Sequence, residues 1–364
     1  MGINDIIVYI MVLFMVIGAM DRIIGNKFGF GEQFEEGILA MGSLALAMVG
    51  VVSLAPVLAN ILKPVVVPIY TALGADPAMF ATTILANDMG GYPLAMELAQ
   101  TEQAGLFAGL ILGAMMGPTI VFTIPVALGI IKKEDHPFLA TGILAGLITI
   151  PIGTFVGGLV AGFDLSMILS NSVPIVIVSL LLAIGLWRIP NRMIRGFTVF
   201  GKGVVIVITI GLAAIIIETL TGIVVIPGMA PVSDGIEIVG DIALMLAGAF
   251  PMVHFITKVF NKPLLQLGKL LGMGDVAAAG MVASLANNIP MFGLMKDMDN
   301  RGKIINVAFA VSASFVFGDH LGFTAGVAKD MIFPMVAGKL TAGITAVILA
   351  IFIANRRVEQ TQES

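Results

Sequence analysis

Asn87 and Asp88 stand in the string LANDMGGYPL, and two hundred positions later Asn287 and Asn288 stand in LANNIPMFGL. Each pair is followed closely by helix breakers, Gly90, Gly91 and Pro93 in the first string and Pro290 in the second, inside stretches otherwise apolar enough for a bilayer. The chemistry offered by an acid among three amides at such depth is cation binding. A carboxylate at the middle of a membrane costs about 2.5–3.5 kcal/mol on insertion scales unless something offsets it. No Lys or Arg lies near either tip along the chain. Amide oxygens, opened backbone carbonyls and the negative end of a preceding half-helix all favour positive charge as well, so the natural occupant is a small cation such as an ammonium. Tyr92 and Phe292, at matching places beyond the two pairs, either turn their aromatic faces to that cation or simply pack. The competing role for Asp88 is structural: a protonated acid, or a cap on exposed helix-end N–H groups.

Other polar residues lie in apolar surroundings. VFGDHLGFT holds Asp319 beside His320, an acid and an imidazole that could carry protons or bind an amine, or form a self-satisfied polar patch where glycines let helices approach. Glu218, in another apolar run, is either a coupling site or a buried structural acid. Pro118 and Pro125 break the run that also carries Thr119 and Thr123, whose hydroxyls can satisfy freed backbone groups. Asp241, Glu32, Glu35 and Glu36 lie nearer helix ends, where solvation or capping suits them. The chain has no cysteine, which excludes disulfides, thiolate metal sites and cysteine nucleophiles. Metalloprotease, nucleotide-binding and serine-hydrolase motifs are absent too, so an enzyme, a cofactor and a bound metal are not expected. The net charge of −4 forms no block that would point to nucleic acid.

These residues need elements to position them, and the composition says which. Hydrophobic residues make up 58% and charged ones 12%, against about 25% charged in soluble domains. The mean hydropathy is +1.06. Runs long enough to cross a bilayer lie near 6–24, 37–61, 104–131, 138–161, 166–187, 204–226, 238–260, 303–328 and 331–354. Basic residues gather on the cytoplasmic side of membrane proteins. The Arg188, Arg192, Arg195 and Lys202 segment, with Trp187 at its edge, then lies inside, as do Lys132, Lys133, Lys258, Lys262, Lys269, Lys296, Arg301 and Lys303. This layout puts the N-terminus outside, on a first helix that is retained, and the C-terminus inside, and it leaves only Lys63 on the wrong face. Stretches 75–98 and 275–298 must each enter and return on one side. Folded at its centre, a stretch of that length gives two half-helices of about 18 Å, so its tip reaches the bilayer midplane.

The correspondence between the two strings extends outward. Gly74 meets Gly274, Leu94 meets Leu294, Glu97 meets Asp297, and Lys63-Pro64 meets Lys262-Pro263. The expected fold is therefore an all-α polytopic membrane protein, a single domain over 1–364 with an inverted-repeat secondary-transporter architecture. It has about nine full crossings and two re-entrant helical hairpins: repeat one over 1–161, a linker helix at 166–187, repeat two over 204–354, and a short cytoplasmic tail at 355–364. The inversion brings both hairpin tips to the midplane and gathers Asn87, Asp88, Asn287 and Asn288 about one point.

The strings MGIND, FEEG, NDMGGYPLA, GAMMGPTIVFTIPVALGII, SLANNIPMFGLMKDM and FVFGDHLGFTAG closely resemble the ethanolamine permease family of the ethanolamine-utilisation operon, EutH, over essentially the whole chain. The resemblance implies a bacterial inner-membrane transporter of ethanolamine, a small and mostly protonated amino alcohol, working by alternating access. It fits a site with a carboxylate for the ammonium and amides for the hydroxyl. The alternatives are a carrier or channel for another small amine or an inorganic cation, an intramembrane enzyme built on Asp319 and His320, and a structural membrane protein. Pairing into a homodimer is an expectation by analogy with such carriers.

Overall fold

The computed structural model describes residues 2–362, apart from the side chains of Phe260, Asn261, Leu264, Leu267 and residues 356–362. Its regular elements are helical, with no strand among the described residues. Seven helices are long and apolar enough to cross a membrane. They are α1 (Ile3–Ile23), α2 (Phe30–Ala72), α8 (His136–Val160), α9 (Leu165–Arg188), α10 (Pro190–Thr221), α11 (Val232–Leu270) and α16 (Ile332–Gln362). Between them lie the short helices α3 (Ala78–Ile84), α4 (Gly91–Leu98), α12 (Asp275–Ser284) and α13 (Asn288–Leu294).

Two apolar runs expected to be single helices are broken. The run 104–131 divides into α5 (Glu102–Leu106), α6 (Met116–Pro118) and α7 (Ile124–Ile130), joined by π-helical turns over 107–112 and 119–123. Its halves meet at 41°, and counted as one span they make an eighth crossing. The run 303–328 divides into α14 (Asn300–Ala313) and α15 (Asp319–Val327), so the expected ninth crossing is not one helix, and Asp319 opens α15 instead of sitting inside a longer one.

The long helices also outrun their apolar cores. α2 has 43 residues, about 65 Å at 1.5 Å per residue and roughly twice the hydrocarbon thickness. It continues through Pro56, Pro64 and Pro68, so Lys63 is a helix residue and not part of a loop. α11 likewise runs through Pro251 and Pro263 and carries Lys258, Lys262 and Lys269. Arg192, Arg195 and Lys202 lie in the first half of α10, which follows α9 after Ile189 alone. A proline costs one backbone hydrogen bond, and neighbouring helices make that tolerable. α10 stops at Gly222, in the left-handed conformation, whose N–H caps Glu218 O at 2.8 Å. The chain beyond 354 continues as the last turns of α16.

Two groups of helices result. In one, α2 packs along α11, α1 and α10. In the other, α8 packs along α16, α14 and α9. Close approach in the second group follows from the spaced glycines of α8: Gly142 and Gly146 sit on Val307 and Val311 of α14, and Gly153 sits on Ala342 of α16. A buried ion pair, Lys303 Nζ to Asp135 Oδ1 at 2.6 Å, ties the entrance of α8 to α14. The short pairs α3–α4 and α12–α13, the first broken helix and α15 lie between the groups, with α4 against α2 and both α12 and α15 against α11. The order of long helix, long helix, short pair, broken helix and long helix occurs over 3–160 and again over 190–362, with α9 between. Large apolar side chains stand exposed along α1, α2, α9 and α10, which suits lipid as the outer solvent.

Candidate functional site

The site is built from backbone fitted to backbone. After α3 the chain turns extended at Leu85, makes a 3₁₀ turn over Asn87–Met89, and reverses into α4 at Gly90, whose φ is +90°. A Cβ there would be strained and would lie 2.3 Å from Val51 Cγ2 of α2. This tip rests on the break of the first broken helix, with Asn87 N–H donating to Gly113 O at 2.9 Å. Gly117 allows the approach, because a Cβ on it would stand 1.9 Å from Leu85 O. The second tip does the same to the second broken helix. Phe315 N–H donates to Ser284 O and Phe317 N–H to Leu285 O, both at 3.1 Å, and a Cβ on Gly318 would stand 2.2 Å from Ala286 O.

The broken helices in turn touch each other. Thr119 Oγ1 lies 2.9 Å from Met115 O, one turn back, and 3.1 Å from Val311 O of α14. The Phe122 and Phe315 rings meet edge to face at 5.6 Å. Phe315 holds φ at +63°, a left-handed conformation that typically costs a bulky residue about 1–3 kcal/mol. The same backbone turn aims its ring at Phe122 and at His320, 5.2 Å away.

At this junction is a cavity of about 40 Å³ lined by Ala86, Asp88, Met89, Pro118, Phe122, Phe315, Asp319 and His320. That is room for about three water molecules at roughly 10–15 Å³ each. Asp88 arrives on the first tip and Asp319 on the first residue of α15; both are half-buried and close enough for their charges to interact. His320 is buried, and behind it stands Lys339 of α16, only 1% exposed. Lys339 Nζ donates to Ala114 O and meets His320 Nδ1 at 2.9 Å. Ala114 O is free for this bond because Pro118, four residues on, has no N–H to give it. With Lys339 as an ammonium, which has only donors, His320 Nδ1 accepts and the ring proton sits on Nε2; a neutral amine would allow the reverse.

Of the residues singled out in the sequence, Asp88, Asp319 and His320 come together in this cavity. Pro118 lines it too, and the other candidates do not. Asn87 is fully buried, and its side-chain amide meets no hydrogen-bond partner among the described residues. Asn287 Oδ1 accepts from Ile289 N–H at 2.8 Å as the cap of α13. Asn288 Nδ2 donates to Thr123 Oγ1 at 3.0 Å, which joins the second tip to the first broken helix. Thr123 therefore serves a side chain, whereas Thr119 does satisfy a backbone carbonyl. Tyr92 packs edge to face on Phe323 at 5.7 Å, and Phe292 is buried. Glu218 lies in the last turn of α10, half-buried, with Oε2 unpaired among the described residues.

Lys339 is the residue that reasoning along the chain missed. No base lies near the tips in sequence, yet the fold brings one to them from another helix. Its signal was a single charge in the apolar run 331–354.

The family model described as "Ethanolamine utilisation protein, EutH" matches residues 3–353. The chain is 71% identical to the "Probable ethanolamine permease EutH" of Listeria monocytogenes, over 100% of this chain and 97% of that protein. It is 53% identical to the protein of the same name in Escherichia coli, over 97% and 96% of the two chains. It is also 57% identical to the "Uncharacterized protein YxeR" of Bacillus subtilis, over 100% and 98%. No solved structure matches. With relatives of this identity aligned nearly end to end, and with the family's pattern running through every helix of the site, the chain belongs to the EutH family of ethanolamine utilisation proteins.

Proposed function

We propose that this membrane transporter carries ethanolamine, in its protonated form, across the bacterial cytoplasmic membrane, and that Asp88 and Asp319 bind its ammonium. The observation that carries the reading is the convergence of two carboxylates on one small cavity between two broken helices. Carboxylates in low dielectric attract a cation far more strongly than in water. The His320 Nε2–H supplies a donor for the hydroxyl oxygen, and Phe122 and Phe315 cover the two-carbon stem. Names of relatives agree, since two of them are called probable ethanolamine permeases. Membership of a permease family sets the intramembrane enzyme aside.

The mechanism belongs to the same proposal. Repeats 1–161 and 204–354 are inverted about the linker 166–187, the pairs α3–α4 and α12–α13 enter and return on opposite sides, and the N-terminus is outside with the C-terminus inside. Transport then proceeds by alternating access, the α8, α14 and α16 group shifting against the α1, α2, α10 and α11 group. Met89 lines the cavity beside Asp88, where a change in its rotamer would gate the site.

Uptake of labelled ethanolamine into proteoliposomes, with other small amines as competitors, tests the reading. Asp88→Asn should lower uptake at least about tenfold, the factor that corresponds to 1.4 kcal/mol. Undiminished uptake in that variant refutes the assignment. Equal competition by unrelated amines moves the substrate to small amines generally.

A further inference from the structure

Hydrogen bonds sort the helices into two bodies. One is α1, α2, α10 and α11, and the core of the other is α8, α9, α14 and α16. Both short pairs are bonded to the second body. Asp76 N–H, at the root of the first pair, donates to Asn171 Oδ1 of α9 at 2.7 Å, and Gly274 N–H, at the root of the second, donates to Asp299 Oδ1, the cap of α14, at 3.0 Å. α15 is tied to α16 through His320 and Lys339. Polar contacts between the bodies stand beside the chain's own links at 73–77 and 271–274: Tyr70 with Thr83, Arg301 with Leu271 O, and Lys269 with Asp275. Away from those links, the hydrogen bonds between described residues far apart in sequence stay inside one body, with one exception. Asn4, in the first turn of α1, donates from Nδ2 to Asp330 O at 2.8 Å and accepts at Oδ1 from Phe333 N–H at 2.9 Å, at the corner between α15 and α16. Next to it the seam is apolar, with Met11 of α1 and Ala249 and Met252 of α11 clustered with Leu321 and Ala325 of α15 and Met335 of α16.

We propose that Asn4 is a latch for this conformation: its two bonds fasten α1 to the α15–α16 corner, and they break when the second body, carrying both tips and the cavity, shifts against the first. The proposal rests on the alternating-access reading and adds which pieces travel together and what holds them before they move. Apolar side chains sliding past one another exchange one set of contacts for a similar set, because the hydrophobic effect is non-directional. A side chain that serves a carbonyl and an N–H at hydrogen-bond distance engages in one register only. Phe333 N–H belongs to the first turn of α16, where it has no partner within its own helix. A merely structural Asn4, present only to cap α16, would affect that turn and leave the seam alone.

The chain has no cysteine, so an introduced one reports alone. Met335→Cys lies on the seam and Ile143→Cys inside the second body, and both native side chains are 0% exposed. In proteoliposomes, N-ethylmaleimide should label Met335→Cys about fivefold or more faster once Asn4→Ala removes the two hydrogen bonds, and should label Ile143→Cys equally slowly with and without that change. An unchanged rate at position 335, or an equal rise at both positions, overturns the latch. Should Met335→Cys fail to fold, Met252→Cys, across the seam, replaces it with the same expected outcomes. A second arm closes the latch. Asn4→Cys with Phe333→Cys should lose ethanolamine uptake on oxidation and regain it on reduction, and full uptake by protein whose bridge is seen by mass spectrometry overturns the proposal; where no bridge forms, the labelling decides. Labelling needs no substrate, so the two readings fail differently. Wild-type protein that takes up no ethanolamine sinks the function, whereas normal uptake with an unmoved labelling rate sinks only the role of Asn4.

Discussion

Gly117→Ala and Gly318→Ala test whether the two tips must lie directly on the broken helices. At Gly117 the added methyl would begin 1.9 Å from Leu85 O, and at Gly318 it would begin 2.2 Å from Ala286 O. Carbon and carbonyl oxygen rest at about 3.3–3.6 Å even in their closest favourable contacts, so each tip must retreat by more than ~1 Å. The obstacle is backbone, not the end of a flexible side chain, and the displacement passes along the chain. Asp88 lies three residues beyond Leu85, which makes the first tip's retreat a displacement of the cavity's own carboxylate. Overpacking of this kind typically costs about 1–3 kcal/mol. The thermal unfolding transition in detergent should fall for both variants, and ethanolamine uptake at matched protein should fall about tenfold or more in Gly117→Ala. Gly129→Ala and Gly293→Ala are the controls, because a Cβ at either meets nothing within 4 Å. Their stability should stay within about 0.5 kcal/mol of wild type. If Gly117→Ala and Gly318→Ala behave like these controls, the docking of the tips is not what positions the site.

Three further outcomes follow from the same geometry. Lys303→Met leaves Asp135 buried without its partner and should cost about 3–5 kcal/mol, while Lys303→Met with Asp135→Leu recovers most of it; thermal unfolding of the two variants measures the difference. Met89→Trp, at the cavity wall beside Asp88, should abolish uptake while leaving the thermal transition near wild type, and normal uptake would show that the substrate does not pass Met89. Asp164 caps α9, and its hydrogen bonds from the Ser166 hydroxyl and from the Ser166 and Met167 N–H groups hold its carboxyl below the ordinary value of 3.8. A depressed folded value means stability that is present above 3.8 and lost as pH falls through the lower one. Asp164→Ala should therefore melt below wild type at neutral pH, and the gap should close under strongly acidic conditions.

What could be read along the chain was whatever depends on solvent preference and on the local cost of bending a helix. An ionisable Asp88 among apolar neighbours, followed by Gly90, Gly91 and Pro93, marks both a break and a reason for it. Asp319 and His320 are likewise marked as polar residues in an apolar run, but without a sign of a break. Helix ends were less legible, because Lys63-Pro64 reads as the start of a loop although a helix already packed along α11 can carry a proline and a lysine past the hydrocarbon layer. The break before Asp319 had no clear sign either. It depends on Phe315 taking a left-handed conformation, which is set by the second tip resting on Phe315 and Phe317 and not by local propensity. The partnership of Lys339 with His320 is tertiary: nineteen residues separate them in sequence, and only the break between α14 and α15 turns the two toward each other.

The two tips share Leu-Ala-Asn and then diverge, and their surroundings explain the first difference, Asp88 in one and Asn288 in the other. At the second tip the Asn288 amide joins Thr123 Oγ1 without bringing a charge. A charge there would be fully buried, outside the lining of the cavity that holds Asp319. At the first tip the side chain is half-buried and faces that cavity, where a cation can reach it. The amide at 288 thus joins the second tip to the first broken helix, and the acid at 88 is left free of any structural hydrogen bond to another side chain. A group that braces the fold is costly to move, whereas one held only by its own backbone turn can change partners when a ligand arrives. The asymmetry between the tips therefore divides the work, with the second tip holding the junction together and the first presenting a charge to whatever enters it.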